Sequence, residues 1–253
     1  MKVRQWREGE WAEVEIPVPL ETPLTLVIND VELVTMMVTP VQLKEVVVGF
    51  LRTSELIDSA DDLVSISLLE QTGRAEVVLR KYPGDLQELF SKRYITSGCG
   101  GGQVFIDPAL LDKSLTANHL SISPAGVTSA IAVLLASASM YQQSGGIHGS
   151  AMFAGDEMLF LAEDIGRHNT FDKLIGAAVL AGVGCDDDHV VTTGRISAEM
   201  VSKAAKVGIC ILVSRTSPTS MAVAVAKALG MTLIGYARRA SFNVYSHEQR
   251  VIK

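Results

Sequence analysis

A strand–turn–helix pattern that occurs three times in succession is the feature that most constrains the fold. The three segments are "MLFLAEDIGRHNTFDKLIGAAVLAG", "HVVTTGRISAEMVSKAAKVG" and "CILVSRTSPTSMAVAVAKALG", and "TLIGYARRASFNVYS" follows them as a last strand. Strands that are joined by helices of this length usually pair in parallel, with the helices on the faces of the sheet. The pattern therefore predicts an α/β (α+β) domain with a mostly parallel sheet over residues 116–253.

The preceding part of the chain is predicted to be rich in strands. Alternating apolar and polar residues in "EWAEVEIPVPLETPLTLVINDVEL" predict a hairpin that turns at "ND", and a second hairpin is predicted to turn at "TG" in "LVSISLLEQTGRAEVVLRKY". Between them, Thr39 is expected to cap a helix whose first residue is Pro40. These elements are assigned to a smaller N-terminal region, residues 1–115, which includes a glycine-rich cysteine loop at 96–103. One long helix is predicted for "SPAGVTSAIAVLLASASMYQQSGG", near the start of the second region.

The turns that link strand to helix in the three units are "EDIGRHN", "TTGRIS" and "SRTSPTS". In a parallel sheet such turns lie at one edge, where the unpaired N–H groups of helix N-termini favour an anion. Each turn contains an arginine (Arg167, Arg195 and Arg215) that can donate two hydrogen bonds to a phosphate. The Ser, Thr and Asn residues of these turns can equally be ordinary helix caps. Because no turn has the "GxxxxGK[ST]" or "GxGxxG" pattern, neither ATP hydrolysis nor ordinary dinucleotide binding is predicted.

Two histidines, His148 and His168, are candidate general bases or metal ligands. Asp164 could orient the imidazole of His168, although a histidine that is simply hydrogen-bonded at a helix start is an equal alternative. The chain has no "HExxH" motif, no paired "CxxC" and no zinc-deaminase signature, so we predict no metal site.

Charge and cysteine content restrict the function further. The chain has a formal net charge of −6. A general nucleic-acid-binding protein needs a basic surface, so this class of function is not predicted. The most apolar helical segment is too short and too rich in Ser and Thr to span a membrane. The N-terminal residues do not resemble a signal peptide, and three cysteines are an odd number. We therefore expect a cytoplasmic protein with reduced thiols.

Cys99 differs from the other two cysteines because four glycines surround it in "TSGCGGGQ". Glycine is costly to order, so this loop is expected to be exposed and mobile. A mobile thiol can enter the site of a partner protein, accept sulfur by thiol–disulfide-type exchange and carry it away. A glycine linker with an incidental cysteine is the alternative. Cys210 lies in an apolar strand and is expected to be buried, and Cys185 is expected to be incidental.

Three long segments occur in the order "TSGCGGGQ", "SGGIHGSAMFAGDEMLFLAEDIGRHNTFDKLIG" and "TTGRISAEMVSKAAKVGICILVSRTSPTSMAVAVAKALGMTLIGYARRASFNVYSHEQR". In this arrangement the chain resembles the formate dehydrogenase accessory proteins of the FdhD/NarQ family, densely from the cysteine loop onward and more loosely before it. The resemblance implies a sulfur carrier that takes persulfide sulfur from a cysteine desulfurase. The acceptor would be the molybdenum or tungsten bis(guanine dinucleotide) cofactor that formate dehydrogenase requires.

The resemblance also implies a fold and a set of site residues. The fold would be a cytidine-deaminase-like three-layer domain with a smaller appended domain, and the protein would be a homodimer. The persulfide would form on Cys99. Cofactor binding is assigned to a C-terminal segment and to the phosphate-binding turns, namely Phe242, Asn243, Val244, Tyr245, Ser246, His247, Arg167, His168, Gly194, Arg195, Ser217 and Thr219.

One position departs from the family pattern. The family has Cys-x-x-Cys in the loop, whereas this chain has Gly102 at the second position. One thiol suffices to carry a persulfide, but a resolving thiol in the loop is excluded. This departure favours one alternative, a chaperone that binds and delivers the guanine-dinucleotide cofactor without using its thiol. A second alternative, a metal-independent enzyme that acts on a nucleotide through His168 and Asp164, also stays open.

Overall fold

The structure, a computed structural model, describes residues 1–81, Gly84 and 114–253. The predicted cysteine loop at 96–103 lies outside the described residues. The described part contains a two-stranded, a four-stranded and a six-stranded sheet.

The chain begins with a hairpin that forms a sheet of its own. Strands β1 (Lys2–Arg7) and β2 (Glu10–Glu15) pair antiparallel around a turn at Glu8 and Gly9. Both turn residues have positive φ, which suits the tight connection of a two-stranded hairpin. We call residues 1–15 the arm.

The four-stranded sheet confirms both hairpins that the sequence predicts in this region. Its strands are β3 (Thr22–Ile28), β4 (Val31–Val38), β5 (Leu63–Leu69) and β6 (Arg74–Leu79), in the order β4-β3-β6-β5. The first hairpin turns at Asn29 and Asp30, which both have positive φ. The second turns through a short 3₁₀ helix, Glu70–Thr72, and Gly73.

Helix α1 (Leu43–Thr53) packs its apolar side on this sheet, and its start differs from the prediction. The helix is preceded by Gln42 in a left-handed conformation, and Thr39 is not its cap. The Thr39 hydroxyl instead accepts a hydrogen bond from the backbone N–H of Ile165, and its carbonyl accepts one from the Lys173 ammonium. Thr39 is therefore engaged with the second part of the molecule, and the helix begins later.

The six-stranded sheet has parallel strands only at its centre. Its strands, in the order β12-β11-β10-β9-β7-β8, are β7 (His148–Ala154), β8 (Glu157–Asp164), β9 (Asp188–Thr192), β10 (Ile211–Ser214), β11 (Thr232–Arg238) and β12 (Ser241–Ser246). Strands β9, β10 and β11 pair in parallel, and the other three pairings are antiparallel. The prediction of a mostly parallel sheet is thus wrong at both edges. Short turns at Gly155 and Arg239 connect neighbouring strands there, and strands joined by a hairpin run antiparallel.

Helices cover both faces of this sheet. Helix α2 (Pro124–Ser137) packs on one face, and α4 (Arg167–Ala181), α5 (Ala198–Lys206) and α6 (Ser220–Leu229) pack on the other. Ser123 caps α2, since its side chain accepts a hydrogen bond from Gly126 N–H. The predicted long helix breaks at Ala138, where ψ is 81°, and the short helix α3 (Ser139–Ser144) follows. A cytidine-deaminase-like topology and a domain division between residues 115 and 116 stay predictions.

Helices α1 and α4 cross at two glycines. A Cβ atom on Gly49 would lie 1.7 Å from the Asp172 carbonyl oxygen, and one on Gly176 would lie 1.9 Å from the Glu45 carbonyl oxygen. Only glycine permits such a close approach of two backbones. The crossing holds the four-stranded sheet against the helices of the six-stranded sheet.

A buried ion pair lies beside this crossing. The Lys173 ammonium is 2.6 Å from the Asp164 carboxylate, and both side chains are fully buried. Lys173 also donates to the carbonyls of Thr39 and Glu163, while Asp164 accepts from Thr39 N–H and Gly166 N–H. These hydrogen bonds compensate the buried charges of Lys173 and Asp164. They also hold the end of β4 against the start of α4.

None of the helices in the described residues is both long enough and apolar enough to cross a bilayer.

Candidate functional site

Three strand-to-helix turns meet at the carboxyl edge of β8, β9 and β10, as the sequence predicts. Backbone hydrogen bonds join the second turn to the third, because Ile196 N–H donates to the Ser217 carbonyl and Thr219 N–H donates to the Ile196 carbonyl. Arg215 N–H donates to the carbonyl of Thr192, at the end of the neighbouring strand. His168 of the first turn contacts Ser197 of the second, so the three turns form one continuous surface.

Buried hydroxyl groups fix the backbone beneath this surface. Ser150 Oγ lies 2.7 Å from Thr170 Oγ1 and 2.9 Å from Thr192 Oγ1. Thr192 Oγ1 accepts a hydrogen bond from Gly194 N–H, and Ser214 Oγ donates to the Gly194 carbonyl over 2.6 Å. These contacts hold the backbone N–H and carbonyl of Gly194 in one orientation.

Gly194 allows the side chains of Arg167 and His148 to approach each other across its backbone. A Cβ atom at Gly194 would lie 2.9 Å from Arg167 Cβ and 3.2 Å from His148 Nδ1. Arg167 is half-buried at the first residue of α4, and Arg195 is exposed beside Gly194. The edge thus presents the Arg167 side chain and the His148 imidazole over a glycine, and the charge of Arg195 acts on both.

The electrostatics of this cluster favour an anion. The pKa of Arg167 lies below its ordinary value, because burial and the charge of Arg195 disfavour a cation there, although Glu199 acts in the opposite sense. The pKa of His148 is also lowered, first by burial and then by Arg167 and Arg195, so His148 is neutral at pH 7. A phosphate bound here would relieve the repulsion between the two arginines.

His168 is a neutral hydrogen-bonding group in this structure. Its Nε2 lies 3.0 Å from Ser197 Oγ and 3.6 Å from a Glu199 carboxylate oxygen. The carboxylate favours protonation, but burial outweighs it and lowers the pKa of His168 to about 4.

Of the two alternatives for His168, orientation by Asp164 is wrong, and a histidine hydrogen-bonded at a helix start is what the structure shows. Asp164 is directed away, toward Thr39, Gly166 and Lys173, and it also accepts a hydrogen bond from the Asn169 side chain. The acid–base pair of the nucleotide-enzyme hypothesis is therefore not formed.

Two turn residues act as helix caps. The side chains of Ser197 and Thr219 accept hydrogen bonds from Met200 N–H and Ala222 N–H, which caps α5 and α6. Helix α4 differs, because its N-cap residue, Gly166, has no side chain with which to cap it. The N-terminus of α4, beside Arg167, is thus the one of these three helix starts without a side-chain cap.

Sequence reasoning missed Tyr141, which the structure places beside the third arginine. The Arg215 guanidinium donates to the Tyr141 hydroxyl and lies 6.0 Å from the ring centroid. Tyr141 N–H in turn donates to a Glu163 carboxylate oxygen over 2.7 Å. Nothing in the sequence indicates this pair, because the residues are 74 positions apart and meet only across the sheet edge.

The first part of the predicted C-terminal segment contributes side chains to both faces of the sheet. Phe242 and Val244 pack toward α2, whereas Tyr245 packs toward the opposite face. The Tyr245 ring reaches Gly235, where an added Cβ would lie 3.0 Å from the ring and 2.8 Å from Pro218 of the third turn. This part of β12 therefore adjoins the candidate site, with Asn243 exposed between the two apolar residues.

Ser246 and His247 lie at the far end of β12. Ser246 Oγ donates to the Met231 carbonyl, and His247 Nε2 lies 3.0 Å from the Lys227 carbonyl at the end of α6. Strand β12 runs antiparallel to β11, so its last residues reach the amino edge of β11. The structure consequently brings the turn residues together with the part of β12 that ends at Tyr245. Ser246 and His247 lie apart from this group.

The donor set fits phosphate groups and does not resemble a metal centre. Arg167, Arg195 and Arg215 provide charged donors, and the start of α4 provides backbone N–H groups. Among residues 1–81 and 114–253, no cluster of three or more His, Cys, Asp or Glu side chains has an arrangement that could hold a metal ion. These donors suit an anionic ligand that carries phosphate groups.

Comparison with known proteins gives consistent matches over nearly the full chain. The FdhD/NarQ family model matches residues 19–252. The sulfur carrier protein FdhD of Listeria innocua is 35% identical, with 99% of this chain and 97% of the relative aligned. That of Bacillus subtilis is 36% identical over 98% of this chain and 95% of the relative. A crystal structure of a proposed formate dehydrogenase accessory protein from Desulfotalea psychrophila superposes with a TM-score of 0.81 at 30% identity, covering 100% of this chain and 98% of that one.

Proposed function

The chain belongs to the FdhD/NarQ family, and we propose that it is a cytoplasmic sulfur carrier that supports the maturation of formate dehydrogenase. The observation that carries this proposal is its similarity, at 35–36% identity over nearly its whole length, to curated sulfur carriers. A cysteine desulfurase would be the sulfur donor, and the guanine-dinucleotide cofactor of formate dehydrogenase would be the acceptor.

We propose that Cys99, which lies outside the described residues, holds the sulfur. Its thiolate would attack the outer sulfur of a persulfide on the desulfurase. The S–S bond of that persulfide would break, the desulfurase cysteine would leave as a thiolate, and Cys99 would keep the sulfur as its own persulfide.

The other two cysteines are poorly suited to this reaction. Cys185 and Cys210 are both buried. Burial, together with Asp188 and Asp186, raises the pKa of Cys185 to about 12, and burial also raises the pKa of Cys210. The reactive species is the thiolate, so both side chains stay protonated and inert near neutral pH.

The proposed acceptor is a molybdenum or tungsten bis(guanine dinucleotide) cofactor, bound as cargo at the carboxyl edge of the six-stranded sheet. Arg167 and Arg195 would neutralise its phosphates, and the uncapped start of α4 would donate backbone hydrogen bonds. Tyr245 and Asn243 on β12 adjoin the same edge and would contact the remaining part of the ligand. The resemblance further implies a homodimer, and we include self-association in the proposal.

Intact-protein mass spectrometry tests the carrier function. The chain is incubated with a cysteine desulfurase and free cysteine, and its mass is then compared with that of Cys99→Ala treated in the same way. We expect a gain of one sulfur that reductant reverses and that Cys99→Ala lacks. Cys185→Ala is the matched control and should gain sulfur as the natural chain does.

A second candidate function is a chaperone that binds and delivers the cofactor without using its thiol. Gly102, which replaces the second loop cysteine of the family pattern, favours this candidate. It predicts no gain of sulfur in the mass experiment while guanine nucleotide still binds. A gain of sulfur on Cys99 would decide for the carrier.

A further inference from the structure

The arm at the start of the chain has little burial of its own. Every residue of β1 and β2 is exposed except Val3 and Val14, which are partly buried. A two-stranded hairpin that stands alone is marginally stable in water. An arm with this much exposed surface is therefore expected to gain stability from another surface.

One side of the arm carries both tryptophans of the chain. The strand register pairs Trp6 with Trp11, and the ring centroids are 5.3 Å apart. The Arg4 guanidinium lies on the same side, 5.0 Å from the centroid of the Trp11 ring. The tryptophans are 57% and 58% exposed, which is unusual for two large aromatic side chains in contact.

The same side has an ordered arrangement of charge. Lys2 is paired with Glu15 and Arg4 with Glu13, so the basic residues all lie on β1 and the acidic residues all lie on β2. We call the six residues of this side the tryptophan face: Lys2, Arg4, Trp6, Trp11, Glu13 and Glu15. The opposite side of the hairpin carries Val3, Gln5, Arg7, Glu10, Ala12 and Val14.

This arrangement is complementary to itself under a two-fold rotation about an axis parallel to the strands. The rotation places β1 of one copy over β2 of the other at the same height along the strands. Arg4 then faces Glu13 of the second copy, Lys2 faces Glu15 of the second copy, and the tryptophans meet each other. An isologous contact of this kind needs one patch that complements itself, and the tryptophan face meets that condition.

We propose that the tryptophan face is a dimerisation surface, which docks on the same face of a second copy of this chain. The four indole rings would form its apolar centre, and the four charge pairs would fix its register. The inference specifies the surface for the self-association included in the proposed function. The inference rests only on the self-association in the proposed function. Sulfur transfer to Cys99 can succeed or fail whether or not the chain dimerises through this face.

Two charge-reversal variants, studied alone and mixed, test the docking. Arg4→Glu makes the face wholly acidic at this position, and Glu13→Arg makes it wholly basic, so each variant alone would oppose like charges across the two-fold axis. In a mixed dimer, both contacts would again join opposite charges. We expect each variant alone to dimerise at least about tenfold more weakly than the natural chain, and the equimolar mixture to form heterodimers, measured by sedimentation velocity.

Tryptophan fluorescence provides a second readout, because both tryptophans of the chain lie on this face. Emission of the natural chain should shift to shorter wavelength as its concentration rises, and that shift should be lost in each reversal variant and return in the mixture. Arg7→Glu, on the opposite side of the arm, is the matched control and should leave dimerisation unchanged. Trp6→Ser removes part of the apolar centre without changing charge and should also weaken the dimer.

Three outcomes would overturn the proposal. The first is a natural chain that stays monomeric throughout the concentration range. This outcome includes a chain whose tryptophan emission shifts only when phosphatidylcholine vesicles or another protein are added. The second is a dimer that persists in Trp6→Ser and in both reversal variants. The third is a mixture of the two reversal variants that stays monomeric, since this would show that the charges act within one hairpin only.

Discussion

At the scale of single residues, burial decides which ionisable groups can react. Cys185 precedes three aspartates in the sequence, yet it is 7% exposed and packs in the core beside α4 and α5. His148 and His168 look like general bases, yet burial lowers the pKa of both. The hydrogen-bond donors that the three turns contribute are arginines, which suit ligand binding better than proton transfer.

We predict that Arg167→Ala and Arg195→Ala each weaken the binding of guanosine diphosphate by about 10-fold or more, because each removes a charge-assisted contact to phosphate. Isothermal titration calorimetry on the folded variants would measure the change. Arg74→Ala is the control, since Arg74 forms an exposed ion pair with Glu32 on the four-stranded sheet. Unchanged affinity in both site variants would contradict the location proposed for the ligand.

A second prediction concerns His189, which is 3% exposed and stacks on Phe153. It is the second residue of β9, at the end of the strand opposite the three turns. Burial lowers its pKa to about 4, from an ordinary value of 6.5. Protons therefore bind the unfolded chain more tightly, so the stability that neutral His189 contributes is complete above pH 6.5 and declines as the pH falls toward 4.

The measurement is urea unfolding of the natural chain and of His189→Gln between pH 7 and pH 4.5. The natural chain should lose up to about 1.4 kcal/mol more per pH unit than the variant over this range. Parallel pH profiles for the two proteins would show that His189 does not contribute to the acid sensitivity.

At the scale of elements, the crossing of α1 and α4 is set by two glycines that face each other's backbone. We predict that Gly176→Ala lowers the free energy of unfolding by about 3 kcal/mol, because its Cβ has no space beside the Glu45 carbonyl and the helices must separate. Chemical denaturation would measure the loss. Gly184→Ala is the matched control, since open space surrounds that position, and it should change stability by less than about 0.5 kcal/mol. Equal stability of the two variants would contradict a close crossing.

At the scale of the whole molecule, the four-stranded and six-stranded sheets are joined through buried polar contacts as well as through the helix crossing. Lys173 pairs with Asp164 and binds the Thr39 carbonyl, and Asp172 accepts hydrogen bonds from Thr53 and Lys203. Loss of one partner would leave an uncompensated charge in the interior, which is strongly destabilising.

We therefore predict that Lys173→Met lowers the free energy of unfolding by about 3–5 kcal/mol and that unfolding remains a single transition, because both sheets depend on the same contacts. Differential scanning calorimetry of the natural chain and the variant would show one peak that moves to lower temperature. A separate early peak in the variant would indicate that the four-stranded sheet unfolds by itself. Lys44→Met, on an exposed position of α1, is the control.

The sequence by itself determined the strand–turn–helix units, the two hairpins of the four-stranded sheet and the meeting of three arginine-bearing turns at one sheet edge. These features follow from local periodicity, turn residues and helix caps, which act over a few neighbouring positions. Only the tertiary structure decided that Asp164 pairs with Lys173 and not with His168, that Tyr141 holds Arg215, and that His247 lies at the far end of β12. Such pairings depend on strand order and on burial, and both arise from contacts between residues far apart in the chain.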